Sequence, residues 1–308
     1  MKANDIYERL KVFIKRHRPL YAMSYPLRLT IAHIKGRSIA KAHREFEICY
    51  ESMIGNVESG TVLVRAPDFM GSFEMDLRSH IFKRLIKSNR YETELAKLVK
   101  SSIDGGKDAI DVGANIGLFT VLLSKLISKG NRVLSIEPVP SVQAYLRRNI
   151  QRNACDESVI PYQGIAVDKP GDYLLNVVPG LEEYSSVGSL VHPSIVGKTS
   201  EVITVRGDTI DNLVAELSLC PGFIKVDTEG AEFQVLNGAL HTIKTHQPIM
   251  LLELSAGMME KLDASPQMVI QLLNDIGYEV SDAYRPGTPL AVPFEGEIFA
   301  VPKAVNGK

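Results

Sequence analysis

The stretch Asp111-Val112-Gly113-Ala114-Asn115-Ile116-Gly117 decides the fold of this 308-residue chain. It follows a short apolar run and precedes a helical pattern that begins at Leu118. A glycine-rich turn between a strand and a helix is typical of doubly wound α/β sheets, in which ligands bind at the carboxyl ends of the strands. The stretch therefore predicts an α/β fold with a ligand site at this turn.

Beyond Gly105-Gly106, apolar runs too short for helices alternate with helical patterns. Such alternation is typical of a parallel sheet joined by crossover helices. The predicted parallel strands are Ala109 to Val112, Val133 to Ile136, Val159 to Tyr162, Phe223 to Val226 and Ile249 to Leu254. Two more strands, Tyr278 to Asp282 and Glu297 to Val301, are predicted to pair antiparallel at one edge.

The rest of the chain is predicted to form an extension and an insertion. Residues 1–85 are interpreted as a basic helical extension with a small hairpin, whose strands are Thr61 to Arg65 and Ser72 to Leu77. Residues 86–308 form the main domain in this interpretation. Within it, residues 168–205 are rich in proline and glycine and are predicted to be a loop-rich insertion that faces substrate.

Composition excludes several classes of protein. The chain has 35 Lys and Arg against 36 Asp and Glu, so its overall charge offers no attraction for nucleic acid. Three distant cysteines without a C-x-x-C pair argue against a disulfide framework or a structural zinc site. With no signal peptide and no apolar run long enough to span a membrane, we expect a cytoplasmic protein.

Positive charge is concentrated in residues 1–44, which hold eleven basic and two acidic residues, a formal charge of +9. Ile6, Leu10, Phe13 and Ile14 share one face of the predicted helix. Two interpretations stay open. The segment is a helical cap on the main domain, or it contacts an anionic membrane or a lipid-linked acceptor, which would place the protein at the inner face of a membrane.

The glycine-rich turn departs from the dinucleotide pattern G-x-G-x-x-G, since Asn115 replaces the middle glycine and Leu118 follows Gly117. The pyrophosphate cradle is incomplete, which disfavours NAD. A ligand with an amino acid portion and a ribose but no phosphate does not need a complete pyrophosphate cradle in this turn. Gly113 and Gly117 would let the backbone approach it, and the Asp111 carboxylate would face its ammonium group. S-adenosylmethionine is such a ligand.

Glu137 ends the second predicted strand, 26 residues after Asp111. Its carboxylate is predicted to emerge beside the glycine-rich turn, where an acidic residue accepts hydrogen bonds from both ribose hydroxyls of a nucleoside. The alternative is that Glu137, which precedes Pro138, caps the next helix.

Three carboxylates, Asp227, Glu229 and Glu232, follow the fourth predicted strand within six positions, and Glu253 lies late in the fifth. Placing several carboxylates so close together costs free energy unless their charges face water, a cation or a reacting group. Asp227 is predicted to lie beside the glycine-rich turn at the switch of strand order. Helix capping by Glu229 and Glu232, and a structural role for Glu253, stay open as alternatives.

The chain from about Tyr91 to Val301 resembles the FkbM-type family of S-adenosylmethionine-dependent methyltransferases. The matching pieces, in chain order, are Tyr91-Glu92, the stretch from Asp111 to Gly117, Glu137-Pro138, Thr209-Ile210-Asp211, the stretch from Lys225 to Glu232, and Glu253. The resemblance implies a Rossmann-like sheet of seven strands and O-methylation of a sugar, glycolipid or secondary metabolite. It leaves residues 1 to about 85 without a counterpart and does not name the acceptor.

Taken with the residues, the resemblance implies a site in which S-adenosylmethionine is the cofactor. The candidate cofactor contacts are Glu92, Asp111, Gly113, Asn115, Gly117, Glu137 and Asp227, and the candidate catalytic residues are Asp227, Glu229 and Glu253. A hydroxyl acceptor gains from a general base, and repulsion between neighbouring carboxylates would raise the pKa of at least one. A catechol-type magnesium site would need an Asp-Asn pair where Glu253-Leu254 stands, so no metal is predicted. An NAD-dependent oxidoreductase and a non-catalytic scaffold remain the alternative functions.

Overall fold

The computed structural model describes residues 45, 48–50, 52, 60–88, 90–178, 186–187, 200–291 and 293–303. The basic segment 1–44 therefore lies outside the described residues, as do positions 179–185 and 188–199 of the predicted insertion. The chain divides into two compact units, one of residues 1–63 with 75–92 and the other of residues 64–74 with 93–308. No helix in the described ranges has the length and apolar character needed to cross a membrane.

The strands are β1 (Thr61–Ala66), β2 (Gly71–Asp76), β3 (Asp108–Val112), β4 (Val133–Ile136), β5 (Val159–Tyr162), β6 (Ile165–Ala166), β7 (Gly171–Val177), β8 (Ser186–Val187), β9 (Glu201–Asp208), β10 (Pro221–Val226), β11 (Ile249–Leu254), β12 (Tyr278–Asp282) and β13 (Gly296–Pro302). The helices are α1 (His80–Ser88), α2 (Thr93–Ser102), α3 (Leu118–Leu126), α4 (Pro140–Arg152), α5 (Ile210–Leu217), α6 (Glu232–Asn237), α7 (Leu240–His246), α8 (Ala256–Met259) and α9 (Pro266–Asp275). Short 3-10 helices lie at Pro67–Phe69 and Glu260–Leu262.

Seven strands form one sheet in the order β12-β13-β11-β10-β3-β4-β5. Neighbours from β11 to β5 pair in parallel, whereas β13 pairs antiparallel with both β11 and β12. This confirms the predicted α/β fold and its antiparallel edge. From β3 the chain builds outward through β4 and β5 and then returns to β10 on the other side of β3. The order therefore reverses between β3 and β10, where ligands bind in open α/β sheets.

The two strands at this switch point are buried along their whole length. Strands covered on both faces read as continuous apolar runs, which is why the sequence pattern locates them. Ile110, Val112 and Ile224 belong to the resulting core. Asp111 and Lys225 are charged exceptions, and they are register partners across the β3–β10 pair.

A second sheet has the order β6-β9-β7-β8. Strands β7 and β9 pair antiparallel along their length, so the prediction of a loop-rich insertion at 168–205 was wrong for much of the part that the structure describes. The physical reason is an alternating pattern of burial along β7, which is typical of a strand. Leu175 and Val177 are buried, whereas the preceding Leu174 is exposed. Pro170 and Gly171 mark where β7 begins and did not exclude a strand.

The small hairpin predicted ahead of the main sheet is present as β1 and β2, which form a two-stranded sheet. Met70 occupies the left-handed region at φ 56° and closes the turn between them, with its N–H donating to the carbonyl of Pro67. Within the larger unit, the buried amide of Asn149 on α4 accepts from the N–H of Glu74 and donates to the carbonyl oxygens of Glu74 and Ile116. This contact ties part of β2 to the end of the glycine-rich turn.

Candidate active site

The glycine-rich turn joins β3 to α3 and takes three left-handed residues, Gly113 at φ 76°, Asn115 at φ 51° and Gly117 at φ 92°. A Cβ at Gly113 would overlap the backbone carbonyl oxygen of Asp227, and one at Gly117 would lie 2.7 Å from Leu146 Cδ1. The absence of side chains at both glycines thus allows β10 and α4 to pack against the turn. The glycines were predicted to make room for a ligand, and in the structure the room beside them is taken by Asp227 and Leu146.

Asn115 fits the left-handed position because its side chain bonds locally, with Oδ1 accepting from the N–H of Ile116 at 2.7 Å. Its own N–H points across the turn and donates to Glu137 Oε2 at 2.9 Å. The residue that breaks the dinucleotide pattern therefore connects the turn to the predicted ribose-binding carboxylate.

Glu137 is 7% exposed and follows β4 directly. Its Oε1 accepts from the N–H of Val139 at 2.9 Å, so the helix-capping alternative is correct for one oxygen. Each carboxylate oxygen has two acceptor positions, which leaves one on each oxygen for a further donor. Burial raises the pKa of Glu137 to about 7, although the two backbone N–H groups favour the ionised form.

Asp111 is fully buried in β3, and its Oδ2 accepts from Thr120 Oγ1 at 2.6 Å. That hydroxyl also lies 2.7 Å from Ser135 Oγ on β4, so the carboxylate joins three elements. Oδ1 is buried and has no hydrogen-bond partner among the described residues. Burial raises the pKa of Asp111. Asp111 supports the turn through its hydrogen bond to Thr120 in the first turns of α3. Direct contact between Asp111 and an ammonium group stays a prediction.

Asp227 lies one residue beyond β10, and its N–H donates to the carbonyl of Val112 at 3.0 Å. Its Oδ2 pairs with Lys225 Nζ at 2.9 Å, and its carboxylate is hydrogen-bonded to Glu253 on the neighbouring strand. The structure thus brings together Gly113, Asp227 and Glu253, which the sequence argument predicted for one edge of the sheet.

The two carboxylates have opposite pKa shifts. Burial disfavours the charge of Asp227, but the positive charge and hydrogen bond of Lys225 outweigh it and lower its pKa. The charge of Asp227, then burial, then the charge of Glu297, raise the pKa of Glu253. Glu253 is exposed to solvent, which screens these charges and reduces the shift. The opposite directions of the two shifts favour a shared proton on Glu253 over one on Asp227.

Glu232 has a structural role. It is 1% exposed, and its Oε1 accepts from the N–H and Oγ1 of Thr228 and from the N–H of Gly230, at 2.9 to 3.1 Å. These bonds shape the turn after Asp227, in which Glu229 is left-handed at φ 54°. Glu232 is also the first residue of α6, where an acidic side chain complements the helix dipole as the capping alternative expects, and the catalytic role of Glu229 stays a prediction.

Glu92 belongs to the smaller unit and immediately precedes α2. It is left-handed at φ 42°, and its carboxylate lies 3.7 Å from Arg84 Nη1. Its contact with the cofactor stays a prediction.

The Thr209-Ile210-Asp211 piece of the resemblance also has structural roles. Thr209 is the N-cap of α5 and accepts from the N–H of Asn212. Asp211 accepts from the N–H groups of His241 and Thr242 at the start of α7. These residues align the helices behind the site without entering it.

Sequence reasoning missed three residues of the site, Thr120, Ser135 and Lys225. The available signal was a polar residue inside an apolar strand, as Ser135 is in β4 and Lys225 in β10. A buried polar group needs a partner, so each pointed to a neighbouring polar group. Within the part of the chain that the structure describes, no group of three or more His, Cys, Asp or Glu residues is arranged to hold a metal ion.

One family model matches most of the main domain, and one curated protein matches a short part of the chain. The family model described as the methyltransferase FkbM domain matches residues 111–280, more than half of the chain. A curated protein-L-isoaspartate O-methyltransferase from Aeropyrum pernix is 31% identical over 67 residues, a match that covers 22% of this chain and 23% of that protein. The matched stretch thus spans about a quarter of the length of the curated relative.

Two solved structures are similar to this chain. The methyltransferase FkbM from Methylobacillus flagellatus KT is 18% identical with a TM-score of 0.40, covering 70% of this chain and 46% of that chain. An O-methyltransferase from Bacillus cereus, solved in complex with SAH, is 15% identical with a TM-score of 0.41, covering 83% of this chain and 97% of that chain.

Proposed function

The chain belongs to the FkbM family of methyltransferases, and we propose that it methylates a hydroxyl group on a sugar, a glycolipid or a secondary metabolite. S-adenosylmethionine is the cofactor, and the family assignment favours it over NAD. The observation that carries the proposal is the carboxylate of Asp227, which pairs with Lys225 at 2.9 Å and lies partly exposed beside the glycine-rich turn at the switch of strand order.

The residues present fit this cofactor. Glu137 retains acceptor capacity on both oxygens beside the turn, as a pair of ribose hydroxyls requires. Asp111 Oδ1 is a buried acceptor without a partner in the described residues, which is costly in a folded protein. The turn itself presents no phosphate cradle, consistent with a ligand that lacks phosphate. In the proposed site Glu137 and the turn from Gly113 to Gly117 would hold the cofactor.

When bound, S-adenosylmethionine would supply a methyl group on a cationic sulfur, so that an O–CH₃ bond would form at the acceptor as the S–CH₃ bond breaks. Asp227 takes the proton of the acceptor hydroxyl, because it is the ionised member of the carboxylate pair. Glu253 keeps its proton and orients Asp227 through their hydrogen bond. Glu229, two residues beyond Asp227, is proposed as a second carboxylate near the acceptor.

Titration calorimetry with S-adenosylmethionine, S-adenosylhomocysteine and NAD tests the class of ligand. We expect binding of the first two and none of NAD. Strong NAD binding would overturn the assignment, and binding of none would favour a non-catalytic scaffold. Transfer of a labelled methyl group to a panel of glycans, glycolipids and small hydroxylated metabolites then tests the acceptor class. Transfer to RNA or to an amine alone would contradict the proposal.

We also propose a cytoplasmic location and contact between residues 1–44 and an anionic membrane. The support is the +9 charge and apolar stripe read from the sequence. Co-sedimentation of the full chain with anionic vesicles should weaken with added salt, since exposed charges are screened. A full-length variant with Lys11, Lys15, Arg16 and Arg18 changed to Gln should bind less. Equal binding by the variant would favour the helical-cap interpretation.

A further inference from the structure

Lys225 is a buried cation that takes no direct part in the reaction described above. It lies in β10, 6% exposed, with every residue of that strand buried. Its Nζ is 2.9 Å from Asp227 Oδ2 and 4.9 Å from the centroid of the Phe119 ring. Alternation along a strand places Lys225 and Asp227 on the same face, so the contact follows directly from their spacing.

Burying an ammonium group is costly unless it is paired and its environment favours positive charge. Asp227 provides the pairing, and the face of Phe119 provides a further favourable contact. Phe119 is the second residue of α3, directly after the glycine-rich turn. Lys225 therefore lies between the elements that hold the cofactor and the carboxylate that takes the proton.

We propose that Lys225 is a positioning residue for methyl transfer: its buried ammonium keeps Asp227 as the ionised member of the Asp227–Glu253 pair and leaves the proton on Glu253. The inference rests on the proposed function in one respect, the role of Asp227 as base. It adds the reason why Asp227, and not Glu253, takes that role.

Charged groups act on the pair from β10, β3, β13, the turn beyond Asp227 and the end of β4, where the charge of Asp227 contributes to the raised pKa of Glu137. Lys225 approaches Asp227 from β10, and Asp111 on β3 is the register partner of Lys225. Glu297 on β13 lies directly opposite Glu253. Glu229 is in the turn beyond Asp227 and also acts on Glu253. Like charges opposite each other in a sheet are destabilising, so Glu297 and Glu229 disfavour charge on Glu253.

Without the ammonium group of Lys225, we expect the pKa of Asp227 to rise towards that of Glu253. Asp227 would then be partly buried and close to the Asp111 carboxylate, both of which hinder its ionisation, and only the hydrogen bond with Glu253 would still favour its charge. The base would be protonated over more of the acid range. Turnover in that range would fall, while the turn and Glu137, which contact the cofactor in the proposed site, keep their hydrogen bonds.

The experiment combines two readouts on the full chain. The first is carboxyl ¹³C NMR titration of Asp227 and Glu253 without cofactor or acceptor, in wild type, Lys225→Met and Lys225→Arg. The second is the pH profile of turnover in the same proteins, with S-adenosylmethionine affinity measured by calorimetry. Lys97→Met is the matched control, because Lys97 pairs with Glu94 at the same 2.9 Å but both side chains are well exposed.

In wild type we expect Asp227 to titrate below Glu253. In Lys225→Met we expect the Asp227 titration and the acid limb of turnover to move upward by about one pH unit or more, which is about a tenfold loss of turnover at a fixed acid pH. Lys225→Arg should restore both, and Lys97→Met should change neither. Cofactor affinity should change much less than turnover.

Two results would overturn the inference: wild-type Glu253 titrating below Asp227, or a Lys225→Met profile that matches wild type. If Lys225→Met does not fold, the wild-type and Lys225→Arg titrations still decide the order of ionisation. The NMR titration needs no acceptor. A protein that shows the expected titration but transfers no methyl group therefore contradicts the proposed function, and not the proton distribution.

Discussion

The backbone N–H of Asn115 donates to the carboxylate of Glu137 at 2.9 Å, joining a turn and a strand end that are 22 residues apart. Glu137 therefore stabilises the turn as well as presenting acceptor positions to a ribose. A substitution at this position therefore acts on both the turn and the ribose contact.

For Glu137→Ala, measured above pH 7 where the carboxyl group is ionised, we expect cofactor affinity to fall roughly ten- to a hundredfold, because hydrogen bonds to a charged group contribute roughly 1.5 to 3 kcal/mol. Stability should also fall, since the N–H groups of Asn115 and Val139 lose their acceptor. Calorimetry and urea unfolding measure the two effects. Glu157→Ala, at an exposed position after α4, is the control and should change neither. An unchanged dissociation constant would refute the ribose assignment.

The raised pKa of Glu137 predicts how stability depends on pH. The unfolded carboxyl group loses its proton near its ordinary pKa of 4.5, whereas the folded protein keeps it until about pH 7. The folded state therefore binds more protons between these values, and the contribution of Glu137 falls as pH rises through that window. We expect wild type to lose up to about 3 kcal/mol relative to Glu137→Gln between pH 4.5 and 7.

Urea unfolding of both proteins at several pH values measures this difference. Above pH 7 the difference should stay level, since the carboxyl group is then ionised in both states. A wild-type curve parallel to that of Glu137→Gln across the window would show that the pKa is not raised.

Gly113→Ala tests the contact between the glycine-rich turn and the backbone of Asp227. A left-handed alanine by itself costs about 1 to 3 kcal/mol, and at Gly113 the new Cβ would also overlap the Asp227 carbonyl oxygen. Gly130→Ala is a matched control, because Gly130 also has positive φ, at 100°, but has nothing within 4 Å of the position of a Cβ. Urea unfolding should show a clearly larger loss for Gly113→Ala, and equal losses would contradict the close approach of the two strands.

For Asp227→Asn we expect turnover to fall by about 10²- to 10⁴-fold, the usual contribution of a general base, with a smaller effect on cofactor affinity. The variant keeps the shape of the side chain and removes its charge. Asp156→Asn, at an exposed position, is the control and should stay active. EDTA should leave wild-type activity unchanged.

Two outcomes would contradict this assignment. Full activity of Asp227→Asn would remove Asp227 as the base. Loss of activity in EDTA with recovery in magnesium would show that the carboxylates are metal ligands.

The sequence by itself predicted the main sheet and the position of its ligand site. The strands of that sheet are buried on both faces, so each appears as an apolar run, and the run before Gly113 ends in a turn whose glycines are required by local backbone geometry. Glu137 and Asp227 could be placed at the same edge because both directly follow parallel strands. These are local properties, which depend on a few neighbouring residues.

The tertiary structure decided which groups share a proton and which support the turn. Asp227 and Glu253 are 26 positions apart, and Lys225 lies opposite Asp111, which is 114 positions away. The pKa of a carboxyl group depends on its burial and on its distance to other charged groups. Neither can be inferred from the spacing of residues along the chain. The same limit applies to Glu232, whose carboxylate accepts hydrogen bonds from Thr228 and Gly230 only because the backbone of the preceding turn folds around it. Sequence located the carboxylates, and only the packing of β3, β10 and β11 determined which of them is charged.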